Sequence, residues 1–398
     1  DIYTLSLHDA LPIYIRSRRK RAGNAPKKAM SEFQFEKMQG LGCHRPHHRN
    51  RARMTYTITI DPSGRQFSAQ PDETLLAAAI RQGVPLPYGC QDGACGSCKC
   101  KKLQGEVLHD PYQAKALSEQ EASAGLILAC RAHAQSDLRL ESRQVGAADA
   151  FPVKRLPVRV SRLQRATTDV MIVHLQLPAS DALGYHAGQY VDVLLRDGSR
   201  RSYSMANAPH FQALAPGLEL HIRHLPGGLF TDHVFGAMKE KEILRIEGPH
   251  GGFYLREGSG KQPMILLASG TGMAPIKALI EHLRFKNIER PTTLYWGVRR
   301  PSDLYLNDWI AAQCADMPML RYVPVVSDAL PEDGWSGRSG FVHRAVLQDF
   351  PDLSGHQVYA CGAPVMVQAA QRDFAAAGLP ADEFYADAFT SALDKLGA

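Results

Sequence analysis

The sequence predicts a multidomain chain with β and α/β parts, laid out as three successive modules. Three observations predict it. About 345 residues lie beyond position 53, too many for a single core. Two stretches of small and polar residues, 146–150 and 258–263, divide them into segments of roughly 95, 105 and 140 residues, each within the usual domain range. The hydrophobic pattern also changes along the chain. It alternates near residue 56, whereas near residue 264 a continuous apolar run enters a glycine-rich turn and then a helix.

In the first module Tyr56, Ile58 and Ile60 alternate with Thr55, Thr57 and Thr59, which predicts a half-buried strand. A turn at Asp-Pro-Ser-Gly, 61–64, leads to a second strand ending near Ala69. Asp72 is the expected cap of a helix with the apolar stripe Leu75, Leu76, Ala79 and Ile80, and Gly83 closes it. Cys90, Cys95 and Cys98 follow in a glycine-rich loop, and Cys130 ends Gly-Leu-Ile-Leu-Ala-Cys at 125–130.

C-x4-C-x2-C with a distant fourth Cys is the plant-type spacing for a [2Fe–2S] cluster. Two irons need four thiolates. A tight loop can place three, and the fourth must come from a remote segment. Gly89, Gly93 and Gly96 let the loop adopt positive φ and aim N–H groups at sulfur. Zinc sites more often use two C-x2-C knuckles, and disulfides suit secreted chains, which this one does not resemble. Cys100 competes as a ligand, because alternation on an extended segment would point it the same way as Cys98. Spacing favours Cys130, and Cys100 then reads as a small buried apolar residue. A hairpin, a crossing helix and a cysteine loop resemble the β-grasp ferredoxin over about 54–145.

Residues 1–53 read differently. Thr-Leu-Ser-Leu-His-Asp-Ala-Leu-Pro-Ile at 4–13 is one frame of a widely used short-read sequencing adaptor. The stretch is expected to be a non-native or disordered leader, with Met54 as the start. Other readings are a nucleic-acid patch at Arg18, Arg19, Lys20 and Arg21, or a metal site at Cys43, His44, His47 and His48. The leader carries 12 of the 46 Lys and Arg and 4 of the 40 Asp and Glu, so the remainder has a net charge of −2. The apparent basicity therefore argues for neither nucleic-acid nor membrane partners. No apolar run reaches eighteen residues, and the expected location is cytoplasmic.

The second module carries Arg-Ser-Tyr-Ser at 201–204, followed by Met-Ala-Asn-Ala-Pro. Further on come His221, Ile222 and Arg223, then Gly-Gly-Leu-Phe-Thr at 227–231 entering a helix over 232–235, then Gly-Pro-His-Gly-Gly-Phe-Tyr at 248–254. Glycines and a threonine at a helix start offer free N–H groups to an anion. The third module opens with Met-Ile-Leu-Leu-Ala-Ser and Gly-Thr-Gly-Met-Ala-Pro at 264–275, a strand, glycine turn and helix of the dinucleotide-binding kind. Further strands are expected at 292–297, 320–327 and 357–361, the last entering Cys-Gly-Ala-Pro-Val-Met at 361–366.

Taken in order, these motifs resemble the ferredoxin–NADP reductase superfamily across 54–398. Ala268 and Ser269 stand where that family commonly has two glycines. The resemblance implies a β-grasp 2Fe–2S ferredoxin domain (54–147), an antiparallel FAD-binding β-barrel (153–257) and an open parallel α/β nicotinamide-binding domain (258–398). Arg201 would neutralise the FAD pyrophosphate, Tyr203 would pack on the flavin ring, and Ser204, beside Ser202, would lie near its N5. His221, Ile222, Arg223, Gly227, Gly228, Leu229 and Thr231 would complete the FAD site. Gly270, Thr271, Gly272, Cys361, Gly362 and Pro364 would shape the NADH or NADPH site, with Ser204 and Cys361 the catalytic pair. Phe389, in Phe-Tyr-Ala-Asp-Ala-Phe at 384–389, would cover the flavin, or serve as a core residue.

By the same resemblance the chain is similar to CDP-6-deoxy-Δ3,4-glucoseen reductases and to the reductase components of phenol, benzoate and methane oxygenases. NAD(P)H gives two electrons as a hydride, whereas a [2Fe–2S] cluster takes one at a time. FAD is the carrier that divides them. The implied partner is a redox protein, an iron–sulfur sugar dehydrase or an oxygenase component. Two rival classes fit less. A simple 2Fe–2S carrier or sensor has no use for the hydride motifs, and a free-flavin reductase has none for the cysteines. For the coenzyme, Asp328 after the third strand argues for NADH, and Arg299 and Arg300 after the second argue for NADPH.

Overall fold

The computed structural model describes residues 55–145, 151–258 and 262–390, and the leader lies outside them. In the first module β1 (Tyr56–Asp61) pairs antiparallel with β2 (Arg65–Ala69), with Ile58 opposite Phe67. Ile58 and Ile60 are fully buried, as the alternation requires. Helix α1 (Leu75–Arg81) is capped by Thr74, whose hydroxyl accepts the Ala77 amide at 3.2 Å. Asp72 is not the cap: it lies two residues before the turn in which Thr74 is extended and Leu75 already helical. Gly83, at φ +71, lets the chain leave the helix.

Beyond the cysteines come β3 (Lys99–Gln104), β4 (Val107–His109), the five-residue α2 (Glu119–Ser123), β5 (Leu126–Leu128), β6 (Ala132–Ala134) and β7 (Leu138–Glu141). The main sheet runs β2-β1-β7-β3-β5, with β7 parallel to β1 and antiparallel to β3. This is the β-grasp arrangement.

The second module comprises β8 (Lys154–Arg165), β9 (Val170–Gln176), β10 (Tyr190–Leu194), β11 (Arg200–Ser204), β12 (Gly217–Arg223), α3 (Leu229–Gly236) and β13 (Ile243–His250). Its antiparallel order is β11-β10-β13-β8-β9-β12. A bridge between Met205 and Leu220 joins the two ends and closes the barrel. Val158, Val160, Val173, Val191, Val193 and Leu220 fill it.

The third module is a parallel sheet ordered β17-β16-β15-β14-β18-β19. Its strands are β14 (Met264–Ser269), β15 (Thr292–Val298), β16 (Leu320–Val326), β17 (Arg338–Ser339), β18 (Gln357–Gly362) and β19 (Phe384–Ala388). Helices α4 (Met273–Phe285), α5 (Asn307–Asp316), α6 (Val342–Asp349) and α7 (Pro364–Ala376) flank it. Leu266, Ala268 and Trp296 enter one core and Ile265, Leu267 and Tyr295 another. A strand buried on both faces shows no alternation, which is why this module reads as apolar runs. Strand β19 went unpredicted, since Phe384–Ala388 reads as a terminal tail until it pairs with β18. Among the described residues no helix is long and apolar enough to cross a membrane.

Candidate functional site

The four cysteines meet. Gly93 and Gly96, at φ +77 and +79, turn the loop, and a Cβ on Gly96 would lie 2.9 Å from the Ala116 carbonyl. Backbone amides are aimed at sulfur: Ala94 N is 3.3 Å from Cys90 Sγ, and Cys90 N is 3.4 Å from Cys95 Sγ. The Ala129 amide donates to the Cys98 carbonyl at 3.1 Å, which draws Cys130 in until its Sγ is 3.2 Å from Cys98 Sγ. That separation is far beyond a disulfide bond, and all four thiols are free. The hydrogen bond between Cys90 and Cys95 lowers the Cys95 thiol and raises the Cys90 thiol, and Cys130 with burial raises Cys98, so a cluster would displace protons as it binds. Four converging sulfurs with amide donors fit a [2Fe–2S] cluster.

Cys100 is elsewhere. It lies on β3 opposite Ile127, buried in the first core, with its thiol bonded to Ser142. Cys98 precedes the strand, so alternation does not carry the two sulfurs to one face.

The flavin residues divide into those that converge and those that do not. Strand β11 sets Arg201 to Ser204 along the barrel, and Tyr203 lies 5.5 Å from the Phe230 ring on α3. Arg201 Nη1 donates to the Arg200 carbonyl at 2.8 Å, and Ser202 Oγ donates to Asp192 at 2.7 Å. Helix α3 begins at Leu229, not at 232, so Thr231 stands inside its first turn. Its buried hydroxyl donates to the Leu225 carbonyl at 2.8 Å and accepts the Leu225 amide, closing the loop beneath the helix mouth. Gly228 permits that closure, since a Cβ there would lie 2.6 Å from Thr231 Oγ1. The first-turn amides of Leu229 and Phe230 are then the donors open to a phosphate, as at any helix start. Gly227, by contrast, donates to Asp232 at 3.1 Å. Arg223 is held by Asp169 at 2.8 Å, with Nη1 close above Gly270.

His221 turns away from this face. Its ring is buried between Glu219 (Nε2, 2.7 Å) and Tyr305 (Nδ1, 2.9 Å). Burial lowers its pKa despite Glu219, so it is neutral. A carboxylate can only accept, which places the proton on Nε2 and makes Tyr305 the donor to Nδ1. Ile222 is wholly buried in the barrel core.

The nicotinamide residues do converge. A Cβ on Gly272 would lie 2.2 Å from the Cys361 carbonyl oxygen, and one on Gly362 (φ +132) 2.3 Å from Ser269 Oγ. Only glycine allows the turns after β14 and β18 to approach so closely. Ser269, the departure from the family pattern, accepts the Ala363 amide at 3.0 Å and so ties the two turns together. Thr271 is buried in the first turn, Gly270 accepts the Trp296 indole N–H at 2.9 Å, and Pro364 opens α7. Phe389 is half-buried against the core, its amide bonded to the Gly362 carbonyl at 2.8 Å.

Sequence reasoning missed Asp387, where the modules meet. Its buried carboxylate lies 3.4 Å from Ser204 Oγ, and its charge acts on Cys361. Burial and the neighbouring Cys95 push its pKa up to about 7 against the Ser204 hydrogen bond. Ser97 Oγ donates to the adjacent Ala386 carbonyl at 3.4 Å. The cysteine loop, the expected flavin strand and the expected nicotinamide turn thus share one neighbour. The available signal was its place at the carboxyl end of a strand, where parallel sheets bind ligands.

Three domain families match: the 2Fe-2S iron-sulfur cluster binding domain over 58–135, the oxidoreductase FAD-binding domain over 157–254 and the oxidoreductase NAD-binding domain over 266–372. The chain is 38% identical over 339 residues to a CDP-6-deoxy-L-threo-D-glycero-4-hexulose-3-dehydrase reductase of Yersinia pseudotuberculosis, covering 84% of this chain and 99% of that one. It is 35% identical to a terephthalate 1,2-dioxygenase reductase component of Comamonas, covering 85% and 98%. Its fold is similar to the crystal structure of the Amycolatopsis cytochrome P450 reductase GcoB, with a TM-score of 0.69, 33% identity and coverage of 85% and 99%. With the three cofactor domains in this order, the chain belongs to the ferredoxin–NADP reductase superfamily, as an iron–sulfur flavoprotein oxidoreductase with 2Fe–2S, FAD and NAD(P)-binding domains.

Proposed function

We propose that this reductase passes electrons from NAD(P)H to an iron–sulfur sugar dehydrase in the cytoplasm, and that 54–147, 153–257 and 258–398 are its working domains. Cys90, Cys95, Cys98 and Cys130 hold the cluster. Arg201, Tyr203, Ser204, Arg223 and the α3 mouth hold FAD. Residues 270–272 and 361–364 receive the nicotinamide. FAD, when bound, supplies the change from hydride to single-electron chemistry. The protein's part is placement: Ser204 and Cys361 are set around Asp387, and Gly272 and Gly362 admit the coenzyme. The observation that carries the reading is the convergence of all three modules around Asp387, which bonds Ser204, lies opposite Cys361 on the neighbouring strand and follows the Ala386 carbonyl that accepts from Ser97.

The dehydrase is preferred as acceptor because of the 38% identity to a dehydrase reductase; an aromatic or phenol oxygenase component is the second reading, from the 35% identity to a dioxygenase reductase. The test supplies NADH and compares reduction of a purified iron–sulfur sugar dehydrase with that of a dioxygenase terminal component. Faster dehydrase reduction is expected, and the reverse order would replace the first reading by the second.

For the coenzyme, Arg299 Nε donates to Asp328 at 2.9 Å, and Arg300 pairs with Asp333 at 3.0 Å. The acid and the base that argued for different coenzymes are partners. While Asp328 holds Arg299, that guanidinium is not free for a 2′-phosphate, which favours NADH. Asp328→Ala is expected to raise kcat/KM for NADPH relative to NADH by about tenfold, the worth of one charge-assisted hydrogen bond. An unchanged ratio would mean that selectivity lies elsewhere.

A further inference from the structure

We propose that Tyr190 is the positioning residue that locks the cluster loop onto the flavin barrel. The proposal rests on the reading that Cys90 is a cluster ligand. Tyr190 opens β10, where its backbone pairs with Ser204 on one side and His250 on the other. Its side chain leaves the barrel. The buried hydroxyl donates to the Gly89 carbonyl at 2.8 Å and accepts from Gln91 Nε2 at 2.8 Å. One phenol therefore grips both neighbours of Cys90.

The surroundings are shaped for this grip. Gln91 is a non-glycine residue in the left-handed region, at φ 64, and its amide points to the phenol. Gly251, at φ +96, makes room for the ring, since a Cβ there would lie 2.9 Å from Tyr190 Cδ1. The next glycine brings backbone against backbone: a Cβ on Gly252 would lie 2.9 Å from the Tyr88 nitrogen, and the Gly252 amide donates to the Tyr88 carbonyl at 2.9 Å. A buried tyrosine hydroxyl must find partners. Here it finds both in a different domain, at the residues flanking one cysteine. Electron passage from barrel to loop depends on their separation. The hydrogen bonds set it, and the tyrosine keeps its proton and oxidation state throughout.

The test is Tyr190→Phe in the full chain loaded with iron, sulfide and FAD. Removing the hydroxyl leaves a buried Gly89 carbonyl without its donor, which is expected to speed deuterium uptake by peptides spanning 89–98 about tenfold. In stopped flow, flavin bleaching by NADH should keep its rate while cluster reduction slows by a similar factor. Gln91→Leu, which breaks one bond from the other side without touching the barrel, should reproduce both changes more weakly. Unchanged uptake and cluster reduction in both variants would overturn the proposal. A wild type with flavin but no iron would instead overturn the cluster reading on which it rests.

Discussion

Serine at Cys90, Cys95, Cys98 or Cys130 is expected to lower bound iron to less than about a tenth and to abolish cytochrome c reduction, because an alcohol is not ionised where a thiolate ligand is needed. NADH should still bleach the flavin in each variant, since the barrel and parallel sheet have cores of their own. Cys100→Ser should keep its iron. It places a hydroxyl in an apolar core beside Ser142, so its effect is on stability, about 1–2 kcal/mol. Iron and sulfide analysis with the visible spectrum decides the matter. Cluster loss in Cys100→Ser with retention in Cys130→Ser would reverse the ligand assignment.

Lys277→Met is expected to destabilise the protein by about 3–5 kcal/mol, the penalty for leaving buried charge without its partner. Lys277, on α4 in the third module, is itself buried. Its ammonium lies 2.6 Å from Glu281 and 3.3 Å from Glu219, and donates to the Ala206 carbonyl at 3.2 Å. Glu281 in turn accepts the Ala208 amide at 2.8 Å. Glu219, Ala206 and Ala208 belong to the barrel, so this network joins the flavin and nicotinamide modules.

The pH dependence has a definite sign. Burial alone would raise Glu219, but the His221 hydrogen bond and the Lys277 charge overcome it and hold the carboxyl at about 2, against 4.5 unfolded. A depressed carboxyl contributes stability that is present above 4.5 and lost as the pH falls towards 2, on the order of 3 kcal/mol. Glu281 works the other way, since burial holds it above its ordinary value in spite of Lys277. Glu219→Gln should therefore flatten the acid side of the stability curve. Urea midpoints measured from pH 3 to 7 on wild type, Lys277→Met and Glu219→Gln provide the check. A Lys277→Met midpoint equal to wild type at pH 7 would show that solvent reaches the network.

Several elements were legible because their chemistry is local. As the expected ligands of one cluster, Cys90, Cys95 and Cys98 have to fit one loop, so their spacing is a chemical constraint written in consecutive residues. The alternation at Ile58 and Ile60, and the unbroken apolar run at 264–268, reflect burial on one face and on two. Caps were harder. Asp72 and Thr74 are both competent, and only the φ and ψ of the turn choose between them. The position of Thr231 within α3 has the same origin.

The chain order thus settled the three cofactor modules, and most of the expected site residues stand in contiguous motifs. Their joining had to wait for the tertiary structure. Asp387 meets Ser204 across 183 positions, Tyr190 meets Gly89 across 101, and Lys277 meets Glu219 across 58. No period or motif marks such pairs, since an Asp, a Tyr or a Lys is unremarkable until burial removes water from it. Desolvation then makes one partner indispensable, and which partner is available depends on the strands that packing has brought side by side.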